Sequence, residues 1–216
     1  MSTFSFLSRL ASLEPKQDPM EFKFPAKIKY HYQDPHIVER LSYGFFQHLK
    51  GLNSDFSRPI ILVSIGTDRS TGDSLGPLVG TKLSVLTRDI HIYGSLEDPV
   101  HASNLSTKLQ EIKEKYKNPL IVAVDACLGQ SDSVGSITLA LGALKPGAGV
   151  NKNLPEVGEL HFTGIVNVGG YMEYFVLQNT RLSLVWKMAD LIAQSIHKGY
   201  QLAQTHFLEY LPQTLQ

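Results

Sequence analysis

The sequence is poor in the features that announce a partner or a compartment. Its 216 residues hold one cysteine, Cys127, so neither an intramolecular disulfide nor a cysteine-rich zinc site can form, as suits a reducing compartment. No sign of charge is in excess: 20 Lys and Arg stand against 20 Asp and Glu. Without a net positive field, neither nucleic acid nor a membrane surface is an expected partner. No run approaches the ~18 uninterrupted apolar residues of a membrane span. Near the start, Phe4, Phe6, Leu7 and Leu10 are interrupted by Arg9, with no basic leader before them and no small-residue cleavage pattern after, so a cytoplasmic protein is expected. The Gly-x-Gly-x-x-Gly turn, the Gly-Lys-Ser/Thr phosphate loop and the His-Glu-x-x-His pair are also missing, which weighs against nucleotide-binding and zincin chemistry.

What is present is ordinary globular material, 43% hydrophobic and 19% charged, long enough for one sizeable core without staples. Pro15, Pro19 and Pro25 among mixed charges mark residues 1–30 as an arm, leaving 31–216 as a single domain. Val38, Leu41, Phe45 and Leu49 recur at helical spacing. The run from Pro59 to Gly66 is short, apolar and β-branched, as for a strand buried on both faces. A polar loop, residues 67–74, then leads into a helix opened by Gly76 and Pro77. Residues 90–96 read as a second strand, 104–116 as a helix, and 119–125 as a third buried strand. This βαβαβ order predicts a parallel α/β sheet with right-handed crossovers. Two further strand candidates, residues 136–144 and 160–168, are separated by a Gly- and Pro-rich loop, so the sheet is expected to be mixed. A short amphipathic piece over 171–177 and a long helix over 181–207 close the chain.

In open α/β sheets the ligand crevice lies beyond the carboxyl ends of the strands. Asp73 and Asp125 fall there, whereas Asp68 and Asp132 sit among polar neighbours typical of solvated loops. Two neighbouring carboxyl groups withdrawn from water can share a proton or hold a divalent cation. The competing structural expectation is that Asp73 or Ser74 caps the following helix and that Asp125 binds backbone N–H groups. Arg69 is an anion-binding candidate. His101 and His161 stand near strand candidates, each with a surface or core role as the alternative to ligation. Cys127, two residues after Asp125, reads as a small buried apolar residue, with a place flanking the site as the alternative.

Three segments together resemble a family. Ile65-Gly-Thr-Asp-Arg-Ser-Thr-Gly-Asp-Ser-Leu-Gly-Pro77, Val122-Ala-Val-Asp-Ala126 and Gly142-Ala-Leu-Lys-Pro-Gly-Ala-Gly-Val150 are similar, in the same order, to the two aspartate segments and the Pro-Gly-Ser-Gly-Val loop of the germination endopeptidase of bacterial spores. Over most of the chain the sequence resembles the shorter YyaC-type sporulation proteins. The resemblance extends to the hydrogenase-maturation peptidases, whose third metal ligand is a histidine before a Gly-aromatic-x-Glu segment. Here Ile165-Val-Asn-Val-Gly-Gly-Tyr-Met-Glu173 puts Asn167 at that place. An amide oxygen is a poor nickel ligand, although it can serve a hard cation.

The resemblance implies a single three-layer α/β domain, hydrogenase-maturation-peptidase-like and phosphorylase/hydrolase-like, with a mostly parallel or mixed sheet and helices on both faces. It implies peptide hydrolysis by Asp73 and Asp125, with Lys145, Gly147, Arg69 and Asn167 bordering the cleft. The substrate would be a protein or peptide, small spore proteins among the candidates, met in the cytoplasm of the sporulating cell or the spore. No resident cofactor is expected. Two other readings stay open: a catalytically silent protein that binds a peptide or partner in the developing spore, and a divalent-metal-binding peptidase relative. The apolar residues Phe4, Phe6 and Leu7 could equally serve a homo-oligomer contact or disorder.

Overall fold

In the computed structural model, residues 24–147 and 154–210 are described. The residues of the arm up to 23, with Phe4, Phe6 and Leu7, lie outside the described residues, as do Ala148, Gly149 and Val150 of the third matched segment.

Among the described residues, five α-helices and six strands follow one another, strands and helices alternating as far as β4. They are β1 (Lys27–His31), α1 (Ile37–Leu52), β2 (Ile60–Ser64), α2 (Leu75–Leu86), β3 (His91–Tyr93), α3 (Leu105–Lys115), β4 (Leu120–Gly129), β5 (Ser136–Leu141), β6 (Leu160–Val168), α4 (Glu173–Gln178) and α5 (Leu182–Tyr210). They build one α/β domain on a mixed sheet of order β1-β5-β6-β4-β2-β3. The strands β3, β2, β4 and β6 run parallel, and β5 is antiparallel to both β6 and β1. Residues 27–30, assigned above to the arm, instead form part of an edge strand. Ile28 and Tyr30 pack onto the core, while Lys27 and Lys29 point outward. Outward charge of this kind discourages a further strand from joining the edge.

Alternation along the strands divides the interior into two layers. Ile60 and Leu62 of β2, with Val122 and Val124 of β4, meet the buried stripes of α1, α2 and α5. Ile61, Val63 and Ala123 face the other way, onto Leu105, Leu109 and Ile112 of α3 and onto Leu144 and Val157 of the β5–β6 connection. Every residue of β2 is buried for this reason, which explains its continuous apolar run. The stripe of α5, from Val185 through Met188, Ile192 and Ile196 to Tyr200, covers most of one face.

The amino-terminal edge of the parallel strands is tied by Arg58. Its guanidinium donates to the carbonyls of Leu52, Pro119 and Asn118 and pairs with the Glu159 carboxylate. Arg58 thus joins the end of α1 to the starts of β4 and β6. Arg58→Ala leaves those acceptors and a half-buried carboxylate without their donor, and is expected to cost about 2–4 kcal/mol. A lowered urea midpoint with an unchanged slope checks this.

Candidate active site

Two consecutive crossovers run in opposite directions: α2 carries the chain from β2 to β3 on one side, and α3 carries it from β3 back past β2 to β4 on the other. The carboxyl ends of β2 and β4 therefore flank the topological switch point of the sheet, where a crevice opens. The chain is held there by few bonds. After β2, Ile65 donates its N–H to Val124 O of β4 at 2.7 Å and bridges to Val100, while Gly66 donates to Val100 O at 2.8 Å. The loop that follows closes on itself through Thr67 N–H to Asp73 O at 3.0 Å. These contacts place Asp73, at the foot of α2, and His101, next after Val100, beside the middle of β4, where Asp125 follows Val124, the last residue paired with β2.

Asp125 is 8% exposed and stands opposite Thr163 of β6. One of its oxygens accepts the N–H of Ala126 at 2.8 Å, so the backbone-binding role expected of it is realised in part. Burial holds its carboxyl well above the ordinary carboxylate range, and the negative charge of Asp73 raises it further. Asp73 is also raised by burial, but the charge of His101 pulls it back down. The order of ionisation follows: Asp73 loses its proton first, beside His101, and its charge then keeps the proton on Asp125.

Asp73 and Ser74 do not cap α2 with their side chains; the Ser74 hydroxyl donates to Thr71 O at 2.7 Å. Gly72-Asp73-Ser74-Leu75-Gly76 also has the Gly-x-Ser-x-Gly spacing of a nucleophile elbow. Ser74 is buried and its hydroxyl is engaged with backbone, whereas an elbow serine is presented to substrate.

The other expected residues scatter. Arg69 is exposed and its guanidinium reaches only the neighbouring Thr67 hydroxyl, at 3.4 Å. Lys145 is exposed and pairs with Glu156 at 3.1 Å, and Gly147 stands two residues on, where the described part of its loop ends. Neither Lys145 nor Arg69 is among the charges that shift Asp73 or Asp125. Asn167 ends β6, but its amide donates inward, to Val176 O at 3.3 Å and to Thr180 Oγ1 at 3.2 Å, and its own oxygen accepts Val168 N–H. Asp68 and Asp132 are solvated as expected. His161 meets Gly142 O at 2.9 Å and stands on β6 opposite Ala123, two residues before Asp125, but it is not among the charges that shift Asp125. The Cys127 thiol is pushed up to about 11 by burial and by Asp125, so it is not a ready thiolate. Among the described residues no group of three His, Cys, Asp or Glu side chains is placed to hold a metal ion. His101 is thus the one addition to the acid pair.

This fold defines an α/β protein whose sheet carries, beside its switch point, one buried carboxyl group, Asp125, and one half-buried, Asp73. The chain belongs to the family described as "Protein of unknown function (DUF1256)", which matches residues 29–195. It is similar to the "Uncharacterized protein YyaC" of Bacillus subtilis (strain 168), 62% identical over 141 residues, which are 64% of this chain and 68% of that protein. Among solved structures it is similar to the [NiFe] hydrogenase maturation protease HycI from Thermococcus kodakarensis KOD1, with a TM-score of 0.46 and 20% identity over 70% of this chain and 99% of that one. Among the described residues no helix is long and apolar enough to cross a membrane.

The imidazole gives a direct handle on the pair. Burial raises the Asp73 carboxyl and the charge of His101 offsets part of that rise, so His101→Gln is expected to move it further up. If one ionised carboxylate is needed for turnover, the acid limb of the pH profile of kcat/KM shifts to higher pH in this variant, and an unmoved limb removes His101 from the site.

Proposed function

We propose that the protein hydrolyses peptide bonds, with Asp73 as the ionised base and Asp125 as the protonated acid. The observation that carries this reading is the coupling of two carboxyl groups beside the switch point: burial raises both, His101 partly offsets the rise at Asp73, and the Asp73 charge adds to the larger rise at Asp125. Asp73 takes a proton from a water molecule, whose oxygen attacks the scissile carbonyl carbon as Asp125 gives its proton to the carbonyl oxygen. Collapse of the tetrahedral adduct breaks the C–N bond, returns the oxygen's proton to Asp125 and sends the proton on Asp73 to the leaving amine. The setting proposed is the sporulating cell or the spore, with small spore proteins as substrates, supported by the resemblance in the two aspartate segments.

The test is cleavage of small spore proteins and of a mixed peptide library by the full chain, read by mass spectrometry. Cleavage that disappears in both Asp73→Asn and Asp125→Asn supports the mechanism, and cleavage that survives both removes it. A second reading, a protein that binds a peptide or partner without cutting it, is favoured by the inward hydrogen bonds of Asn167 and by the partial capping role of Asp125. That reading predicts capture of spore proteins with no proteolysis in any preparation. A divalent ion shared by the two acids is a separate proposal, checked by elemental analysis after extensive dialysis.

A further inference from the structure

Beyond the end of β6 the chain turns through Gly169 and Gly170 and enters α4 from Met172, whose φ of 53° and ψ of 44° are left-handed for a residue with a side chain. Such a conformation costs on the order of 1–3 kcal/mol and persists where the surroundings impose it, often at ligand clamps. From that start, Met172, Phe175, Val176 and Asn179 recur at helical spacing and face the end of β6 across an open groove of about 560 Å³. This is within the roughly 300–1,000 Å³ of ordinary ligand clefts. Its lining is apolar apart from Asn167 and Asn179 and contains no ionisable side chain except the phenol of Tyr171. The rim is unusually apolar for a surface, with Tyr171 86% exposed, Met172 54%, Phe175 53% and Val168 41%.

The groove adjoins the acid pair. The wall that α4 provides is fastened to the Asn167 amide through Val176 O and Thr180 Oγ1. The same Thr180 lies against Gly72, immediately before Asp73: a Cβ on Gly72 would meet Leu177 Cδ2 at 2.8 Å and Thr180 Oγ1 at 2.9 Å. One face of the α4–α5 connection therefore forms the groove while the other seats the turn that carries Asp73.

We propose that this groove, between the end of β6 and α4, is the specificity pocket of the site, and that it takes a large uncharged apolar side chain, aromatic or aliphatic, of the peptide held at Asp73 and Asp125. The proposal rests on the peptide-hydrolysis reading for the identity of its occupant. The lining itself offers no charged side chain to an acidic or basic residue, the Glu173 carboxylate lying only at its edge beside Gly169, so the walls favour an uncharged apolar side chain. The apolar walls reward burial of one large side chain by roughly 10- to 100-fold over a small polar one.

The probe is a positional-scanning set of random decapeptides, each pool fixing one position as Phe, Leu, Met, Ser, Asp or Lys. Binding is measured to the Asp125→Asn protein, and to Asp73→Asn as a second background, by fluorescence anisotropy. Cleavage by the parent chain is measured separately. Expected is a preference of 10-fold or more for Phe, Leu or Met over Ser, Asp and Lys at one position, falling to threefold or less in both Phe175→Ser and Met172→Ser with unchanged melting temperature. Equal binding of all pools, or a preference that survives both groove substitutions, overturns the proposal. Cleavage by the parent chain with no apolar preference overturns the pocket while sparing the hydrolysis. A groove-dependent preference with no cleavage keeps the pocket and removes the hydrolysis. If Phe175→Ser and Met172→Ser instead dissociate a dimer of the parent chain in sedimentation, with no peptide preference, the groove belongs to a second copy and the proposal fails.

Discussion

Asp125→Asn is expected to lower kcat/KM for peptide cleavage by two to four orders of magnitude while making the folded protein more stable at neutral pH. The loss follows from the role of Asp125 as proton donor, since a positioned general acid contributes about 10²–10⁴-fold and an amide cannot cycle a proton. The gain in stability has a different origin. The folded-state pKa of Asp125 is raised, by burial first and by the Asp73 charge second, well above the ordinary aspartate value that holds in the unfolded chain. Between those two values the folded protein binds more protons than the unfolded chain, so stability falls as pH rises. The penalty is absent below about pH 4 and complete once pH has passed the folded pKa. Asparagine removes the titration, so parent and variant should unfold at similar urea concentrations in acid and diverge, with the variant more stable, toward neutrality. Parallel curves at all pH values would mean that Asp125 does not titrate abnormally, and the acid/base roles proposed for the pair would fall with it.

Gly66→Ala is the second large effect, and it acts on the backbone that positions the site. Gly66 has φ +143°, which side-chain-bearing residues rarely adopt, and an added Cβ would lie 1.9 Å from Asp73 O and 3.0 Å from Pro77 Cδ. The first contact is with backbone, in the same turn that Thr67 N–H closes onto Asp73 O. Relief requires the β2–α2 loop to open, which removes the bonds to Val100 and displaces Asp73. A loss of about 3–5 kcal/mol is expected in urea unfolding, at the high end for a single substitution, together with loss of the abnormal titration of the pair. Gly51→Ala is the control: it lies near the end of α1 with nothing within 4 Å of its added Cβ, and should stabilise by about 0.5–1 kcal/mol. Destabilisation at Gly51 and not at Gly66 would reverse the argument.

Much of the fold was legible in the chain because its layers leave local periodic marks. The continuous apolar runs ending at Gly66 and at Asp125 fit strands buried on both faces, and β2 is buried throughout and the first half of β4 at all but the half-buried Ile121. The helical spacing from Val38 to Leu49 and from Val185 to Tyr200 is the spacing of residues that meet the same core. The edge strand β1 was not legible, because five residues of alternating Lys, Ile and Tyr gain their strand character from pairing with β5, over a hundred residues away. The length of β4 was underread for a similar reason. Its last residues, from Asp125 to Gly129, are extended because β6 pairs with them, not because of their own apolar pattern.

The candidate site divides along the same line. Sequence alone determined that two acids end or follow buried strands, and pattern resemblance singled out Asp73 and Asp125 from twenty. Whether they act on one another, which ionises first, and that an imidazole joins them were decided by tertiary structure. The approach of Asp73, His101 and Asp125 depends on the opposite crossovers on either side of β2, and electrostatic coupling depends on distance and burial rather than on order in the chain. The same holds for Asn167 and Lys145, where sequence supplied the residue types and only the folded chain decided that both make their polar contacts within the protein. Local chemistry is written residue by residue, but the free energy of a buried charge belongs to its neighbours, and those are supplied by the fold.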